Sequence, residues 1–371
     1  AALPRRAHRD VLRDHRTLRR YTWTALVAGL LLLLMPLAQV IGREINGSRL
    51  WINIAGFSLQ PAELAKICFA IFFAGYLVTH RDTLTLAGRK VMGMNFPRLR
   101  DLGPVLMAWG LSVAVLLFQR ELGTSILLFG LFIAMLYVAT ERLSWVLIGL
   151  ALSLAGVLVV ASQVGYVQAR FDVWLHALDP EIYNRNPGGS GQIVSGLFGL
   201  ANGGLMGTGW GEGYPWLTYS ANADMIIASL GEELGLTGVL AILLIYVVIV
   251  QRGLRTAVGI RDGFGKLLAT GLAFTMALQV FVVVGGVTRV IPLSGLTMPF
   301  LAAGGSSLLA NWIILALLLR LSDGARRPSS ISEPAPVVVV GSAASGPVAP
   351  KPAASPAAAE PHGSGSAVSP S

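Results

Sequence analysis

Residues 222–238, NADMIIASLGEELGLTG, decide how the rest of the chain is read. They set Asp224, Glu232 and Glu233 among apolar runs, with Met225 to Ala228 before the acidic pair and Val239 to Val250 after it. An ionisable group near a bilayer centre costs about 2.5 to 3.5 kcal/mol, so such groups face a wet cavity or a partner. Glu232 and Glu233 fit capping or pairing within a helix bundle as readily as a functional role. Asp224 differs, because it follows a long polar, Gly-rich segment and opens the apolar run. That places it at the membrane surface, at the mouth of any cavity the helices enclose.

Composition agrees with a membrane reading. Of 371 residues 54% are hydrophobic and 13% charged, which predicts a polytopic all-α membrane protein rather than a soluble enzyme with one anchor. The net charge of +9 does not point to nucleic acid, because the basic residues are ordered by topology. Cys68, the one cysteine, lies in an apolar run, which excludes an internal disulfide, and the five histidines show no zinc spacing.

Working outward in both directions, the apolar runs predict eight spans, at 21–41, 61–79, 103–118, 125–140, 145–164, 237–251, 267–284 and 308–321. Residues 1–20 carry seven arginines and read as a basic cytoplasmic segment; residues 21–321 form the transmembrane domain. Residues 322–371, rich in Pro, Ala, Ser and Gly, read as a disordered cytoplasmic tail. With both ends inside, 21 of the 28 Lys and Arg fall on the inner side, so the threading obeys the positive-inside rule. Ten of the 19 acidic residues fall at or near the outer side, so an active cavity is expected to open outward. The longest connection, 165–223, is expected to be an extracytoplasmic loop with a function of its own. Within it QIVSGLFGLANGG suggests a short helix and GTGWGEGYPW a set of turns. Residues 285–307 repeat this Gly- and Pro-punctuated character.

The candidates for chemistry lie on that outer side. Glu63 and Lys66 are three apart and share a helical face, which fits either a structural ion pair or an anion-binding site. Arg49 and Trp51 lie in the first outer loop, Glu121 at the outer end of a hairpin and Arg289 in the last outer loop. GTGWGEG lacks a preceding strand and a GK[ST] ending, so it supports neither dinucleotide nor phosphate-loop binding.

Six segments in order, GSRLWI (47–52), QPAELAK (60–66), QRELGT (119–124), QIVSGLFGLANGGLMGTGWGEG (192–213), NADMIIASLGEELGLTG and PLSGLTMPFLAAGGSSLL (292–309), resemble the SEDS family of RodA/FtsW/SpoVE type. The resemblance covers residues 21–321. It implies a ten-span family fold of which the first two are absent here, matching a start at Ala1 without methionine. The Arg-rich character and the Pro/Ala tail point to an actinobacterial-type branch. The implied activity is peptidoglycan glycosyltransfer, polymerising lipid II at the cell membrane beside a class B penicillin-binding protein, in the elongation or division machinery. The family's essential aspartate falls on Asp224 and its acidic and basic pair on Glu63 and Lys66. Lys66, with Arg49 or Arg289 or a divalent cation (magnesium or manganese), would then stabilise the departing undecaprenyl pyrophosphate, with Trp51 and Glu121 also lining the substrate site. Departures are Arg120-Glu121 where Pro-Asp is usual, Ala223 before Asp224, and Leu50 where a second Arg is common. A lipid II flippase and a non-catalytic scaffold for a transpeptidase are the alternatives.

Overall fold

The computed structural model describes residues 16–38, 42–45, 48–54, 57–85, 89–91, 94–96, 103–186 and 188–326. Most of the basic segment and all of the tail from residue 327 lie outside these, as does the Arg49 side chain. The bundle is built from α1 (Arg16–Arg20), α2 (Thr22–Leu34), α3 (Pro61–Thr85), α4 (Gly103–Gln119), α5 (Leu122–Thr140) and α6 (Leu143–Gln163). There follow α7 (Gly165–Leu175), α8 (Pro180–Tyr183), α9 (Gly191–Gly203), α10 (Ile226–Gly259), α11 (Gly263–Val287) and α12 (Gly305–Arg326). Six helices are long and apolar enough to cross a membrane: α3, α5, α6, α10, α11 and α12. The apolar stretches Thr22–Leu37 and Leu106–Gln119 are shorter. The chain is a multi-pass membrane protein.

Burial orders these helices. The apolar windows of α3, α5 and α11 are 67%, 72% and 72% buried, against 28% for α6 and 17% for α10, so the first three form the centre and the others face lipid. Small residues let the central helices approach closely, as membrane bundles require in place of a hydrophobic drive between them. Gly271 on α11 lies so near Met135 of α5 that an added Cβ would sit 2.7 Å from its sulfur.

Local chemistry sets the helix ends. Pro61 opens α3, where its missing N–H is no loss, and the Asp262 carboxylate caps α11 by accepting from Gly265 N at 2.9 Å. The first span is shorter than expected from sequence, because Pro36 turns the chain into the 3-10 turn Met35–Leu37. The last helix runs on to Arg326, five residues past its expected end, and α3 runs on to Thr85. An all-α expectation also needs amending between α2 and α3. There the strands β1 (Gly42–Ile45), β2 (Ser48–Ile54) and β3 (Phe57–Leu59) form an antiparallel sheet in that order. The alternation in SRLWINI suits a strand, and Ile52 is buried. A second hairpin pairs β4 (Arg89–Val91) with β5 (Met94–Phe96).

The stretch that decided the sequence reading is helical but broken. Within α10, Gly235 has φ 69° and ψ −176°, a region open essentially only to glycine. The carbonyls this break releases are taken up by the Gly-rich loop after α9: Thr208 N bonds Glu232 O at 3.0 Å and Gly209 N bonds Glu233 O at 3.0 Å. In return Leu236 N bonds Gly204 O at 2.9 Å. The loop and the break thus satisfy one another, the condition for irregular backbone at membrane depth.

A Cβ at Gly235 would lie 2.3 Å from Gly207 N and 2.5 Å from Leu205 O. Gly235→Ala is therefore expected to lose about 1 to 3 kcal/mol from backbone strain alone, with the clash adding to it. Gly165→Ala, whose Cβ meets open space, serves as control. Thermal melts in detergent should show a clear drop for the first variant and none for the second; equal melts would show that the break is not held by its loop.

Candidate functional site

A chain of buried polar groups crosses the centre of the bundle. On α3 the Glu63 carboxylate and Lys66 ammonium are 2.5 Å apart, both 4% exposed. Lys66 also donates to Gln279 Oε1 of α11 at 2.7 Å, and the Gln279 amide donates to Thr297 O at 2.8 Å. The Thr297 hydroxyl bonds Ser307 Oγ at 2.8 Å and reaches Glu63 Oε1 at 3.4 Å, while Asn311 Nδ2 donates to Ser307 O at 2.8 Å. Two charges can persist at this depth only with such partners. The pair is therefore first a structural element that ties α3, α11 and α12 to the irregular segment 288–304.

Glu121 comes from the turn between α4 and α5. The turn is only two residues long, with Arg120 at φ 55° and Glu121 extended. Gln60 donates from Nε2 to Glu121 Oε1 at 3.0 Å, and its backbone N bonds Ser306 Oγ at 3.1 Å. Glu121 Oε2 is buried. Burial raises the Glu121 carboxyl to about 7, reinforced by the charge of Glu63 and opposed by the hydrogen bond of the Thr124 side chain, the charge of Arg170 on α7 and the Gln60 amide.

Asp224 closes a turn ahead of α10. Met225 N and Ala223 N both bond Ser220 O, at 3.2 and 2.9 Å, and Ser229 Oγ bonds Ala221 O at 3.0 Å. Asn222 O accepts from Ala303 N at 2.7 Å, so this turn is held against the segment before α12. Burial raises the Asp224 carboxyl above the ordinary aspartate range; its own backbone, Arg170 and the nearby Gln192 of α9 moderate the rise.

Among the other residues singled out in the sequence, Glu232 is buried and accepts from Asn202 Nδ2 at 3.0 Å, the pairing role rather than a reacting one. Glu233 is half-buried, its carbonyl engaged by Gly209. Arg289, at φ 60°, donates to the carbonyls of Trp174 at 2.6 Å and Leu175 at 2.7 Å, and so fastens the end of α7 rather than meeting Lys66. Trp51 is half-buried on β2, opposite Arg43, and Arg49 stands opposite Glu44 on the same strands. Among the described residues no group of three or more His, Cys, Asp or Glu is placed to hold a metal ion.

Comparison with known proteins decides the lineage. Residues 11–327 match the family profile FTSW_RODA_SPOVE, described as cell cycle protein. The chain belongs to the FtsW/RodA/SpoVE family. Its relatives include "Peptidoglycan glycosyltransferase RodA" of Mycobacterium tuberculosis, 51% identical over 85% of this chain and 67% of that protein. "Stage V sporulation protein E" of Bacillus subtilis is 33% identical over 84% of this chain and 82% of its own length. A chain from a solved structure described as "Structural coordination of polymerization and crosslinking by a peptidoglycan synthase complex" aligns with a TM-score of 0.65 at 26% identity, covering 85% of this chain and 84% of that one. RodA of Thermus thermophilus shares the fold, with a TM-score of 0.56 at 23% identity over 85% of this chain and 82% of that one.

Set on this family fold, Glu63 and Lys66 share one network with Gln279 and Thr297, Glu121 is held by Gln60, and Asp224 stands in its own turn before α10. Sequence reading passed over Gln60, Arg170, Gln192, Gln279 and Thr297. Gln279 could have been found, as an amide in the middle of an apolar run. Arg170 stood only among the outer basic residues, with nothing in its neighbourhood to mark it.

Two tests follow from the network. Lys66→Met leaves Glu63 buried without its cation and should cost about 3 to 5 kcal/mol, while the double variant Glu63→Gln, Lys66→Met should recover part of that loss in a thermal melt. Recovery of nothing would show that the two charges do not depend on each other. For Glu121 the folded state holds the proton more tightly than the unfolded chain, so its contribution is full below about 4.5 and is lost as pH rises through about 7. Glu121→Gln should therefore flatten the decline in stability over that window by up to about 3 kcal/mol; parallel curves for parent and variant would remove Glu121 as its source.

Proposed function

We propose that this chain polymerises lipid II into β-1,4 glycan strands with Asp224 as general base. Peptidoglycan glycosyltransferase is the activity named for its mycobacterial relatives at 51% identity, and the chain is an enzyme of that class. The observation that carries the mechanistic reading is the half-buried Asp224 carboxyl, set in a turn at the head of α10 that the Ala303 N–H, bonded to Asn222 O, holds against the segment before α12. A carboxyl held there with its affinity for protons raised is suited to take one from a sugar hydroxyl at neutral pH.

In the reaction, Asp224 accepts the proton of the 4-hydroxyl of the acceptor GlcNAc. The freed oxygen pair forms the bond to C1 of the donor MurNAc as the C1–O bond to phosphate breaks, and that bond's electron pair leaves on undecaprenyl pyrophosphate. A single displacement inverts C1 and needs one base and no covalent intermediate. Lys66, engaged by Glu63 and Gln279, fastens α3 to α11.

The shorter helices α2 and α4 bring the spans to eight, with both ends inside. The connection between α6 and α10 then lies outside and the site opens outward, where the lipid-linked sugars are. A class B penicillin-binding protein is the expected partner, in line with the synthase complex that contains the structural relative. A cleft of about 840 Å³ between α10 and α11, lined by residues such as Leu243, Tyr246, Val250 and Phe281, is apolar and lies several turns of α10 from Asp224, so it suits a lipid chain or a partner's helix and not a sugar.

Asp224→Asn should keep the fold and lower glycan polymerisation by about 10²- to 10⁴-fold. The assay is lipid II polymerisation by purified protein in detergent, where no membrane remains to be crossed and transport cannot substitute for synthesis. Polymer yield near that of the parent would overturn the assignment of the base.

A further inference from the structure

The loop that clamps the break in α10 has two unlike edges. One is small: Gly207 and Gly213 lie against α10, where an added Cβ would meet Glu233 at 2.1 and 3.0 Å. The other is large and bare. Leu205, Met206, Trp210, Tyr214, Trp216 and Leu217 are each 52% to 79% exposed. The 3-10 turn Pro215–Leu217 and an edge contact between the Tyr214 and Trp216 rings, 5.3 Å between centres, hold part of this edge in shape. Six such side chains within thirteen residues form a continuous apolar face rather than scattered exposure.

Its position on α10 says what covers it. Leu236 N and Thr237 N bond the carbonyls of Gly204 and Leu205 at 2.9 and 3.2 Å, and the exposed Thr237 hydroxyl also donates to Leu205 O at 3.1 Å. Leu236, Leu240 and Leu244, four residues apart and 49%, 50% and 64% exposed, form a stripe down the lipid-facing side of α10. The loop therefore continues that stripe at its head. The height agrees. From Leu236 to Gln251 the helix carries no charge, and at about 1.5 Å per residue it spans about 24 Å, against a hydrocarbon core about 30 Å thick. With Arg252 reaching from its stem to the far headgroups, the hydrocarbon extends to about the level of the break, where the loop sits.

The loop is made for that level. The N–H groups of Gly207, Thr208, Gly209, Glu212, Leu217 and Thr218 are all bonded within the protein, as a position beside lipid requires. Tryptophan and tyrosine, with an apolar body and one polar tip, are the side chains that settle at a membrane–water boundary. Between Gly204 and Tyr219 the one charged residue is Glu212, so nothing in the loop calls for an anionic headgroup.

We propose that residues 205–217 are an interfacial anchor, whose aromatic edge is seated in the boundary between headgroups and acyl chains of the leaflet on the Asp224 side, with lipid rather than protein as its cover. The proposal does not depend on Asp224 as the base. Its glycine edge is bonded to the break in α10 and its C-terminal end leads into the turn that carries Asp224. Seating the loop in lipid therefore fixes the level of that turn relative to the membrane surface.

The test places single copies of the protein in phosphatidylcholine nanodiscs. Met206→Cys and Leu217→Cys, each in a Cys68→Ala background, carry a nitrobenzoxadiazole label, and Leu244→Cys marks the hydrocarbon. Lipid with a nitroxide on its headgroup should quench the labels at 206 and 217 more than lipid with a nitroxide near the acyl-chain end, and the order should reverse at 244. Iodide in the buffer should quench the labels at 206 and 217 several-fold less than the same dye on free cysteine. Full iodide quenching without lipid quenching would overturn the proposal, because the face would then stand in water, open to a partner protein or a second copy. Lipid quenching that appears only when anionic phosphatidylglycerol is added would overturn it too, since the loop has no cation to respond. In the Met206→Cys protein, adding Trp210→Ser and Trp216→Ser should raise iodide quenching and lower headgroup-nitroxide quenching; unchanged values would remove the two indoles as the anchor. If a labelled variant melts below the parent, tryptophan emission replaces the label. Phosphatidylcholine brominated near the top of its chains should then quench a smaller part of that emission in Trp210→Phe, Trp216→Phe than in the parent, and equal quenching counts against the proposal.

Discussion

A pair of opposite charges that cannot reach water organises this protein. Glu63 and Lys66 are both 4% exposed, in the most buried part of the bundle, and neither could stay ionised there alone. Their remaining valences extend to Gln279, Thr297, Ser307 and Asn311, so the requirement to satisfy two charges becomes a requirement that three helices and one irregular segment stay in register. The centre of the bundle is thereby specified by directional bonds, where apolar packing against neighbouring helices or lipid would distinguish little.

The segment 288–304 is where these demands meet. It gives carbonyls to Arg170 at Leu293, to Gln279 at Thr297 and to the Tyr246 hydroxyl at Pro299, it bonds Gly123 through Ser294, and its Ala303 N–H holds the turn carrying Asp224. Backbone without regular structure would be untenable in lipid, and here each of those contacts replaces a bond a helix would have made internally. The Gly-rich loop 203–209 does the same at the break in α10. Both irregular pieces persist because their backbone groups are bonded by the elements they touch.

The membrane character, the positions of six of the spans and the two interrupted regions were legible in the sequence because apolar runs, Gly and Pro report directly on local backbone. The short helix at QIVSGLFGLANGG and the turns after it were legible for the same reason. The sheet over residues 42–59 was not, since a polar stretch between two spans reads equally as a loop, and only pairing with its neighbours makes SRLWINI a strand. Proline at 36 shortened the first helix in a run whose hydropathy alone continued to Ile41. Of the site, Glu63, Lys66, Glu121 and Asp224 stood out as charges in apolar surroundings. Arg289 stood out equally and is tied to α7 instead, because spacing cannot tell a guanidinium that faces a cavity from one that caps a helix end.

Arg170 escaped for the opposite reason. Its setting in YVQARFDVWL looks like any amphipathic outer helix, and its meaning comes from a partner more than a hundred residues away, the Leu293 carbonyl. A bond between distant segments leaves no local pattern. In a membrane protein, where an unsatisfied donor or acceptor costs more than in a soluble core, such a bond is what lets the irregular backbone around Leu293 persist.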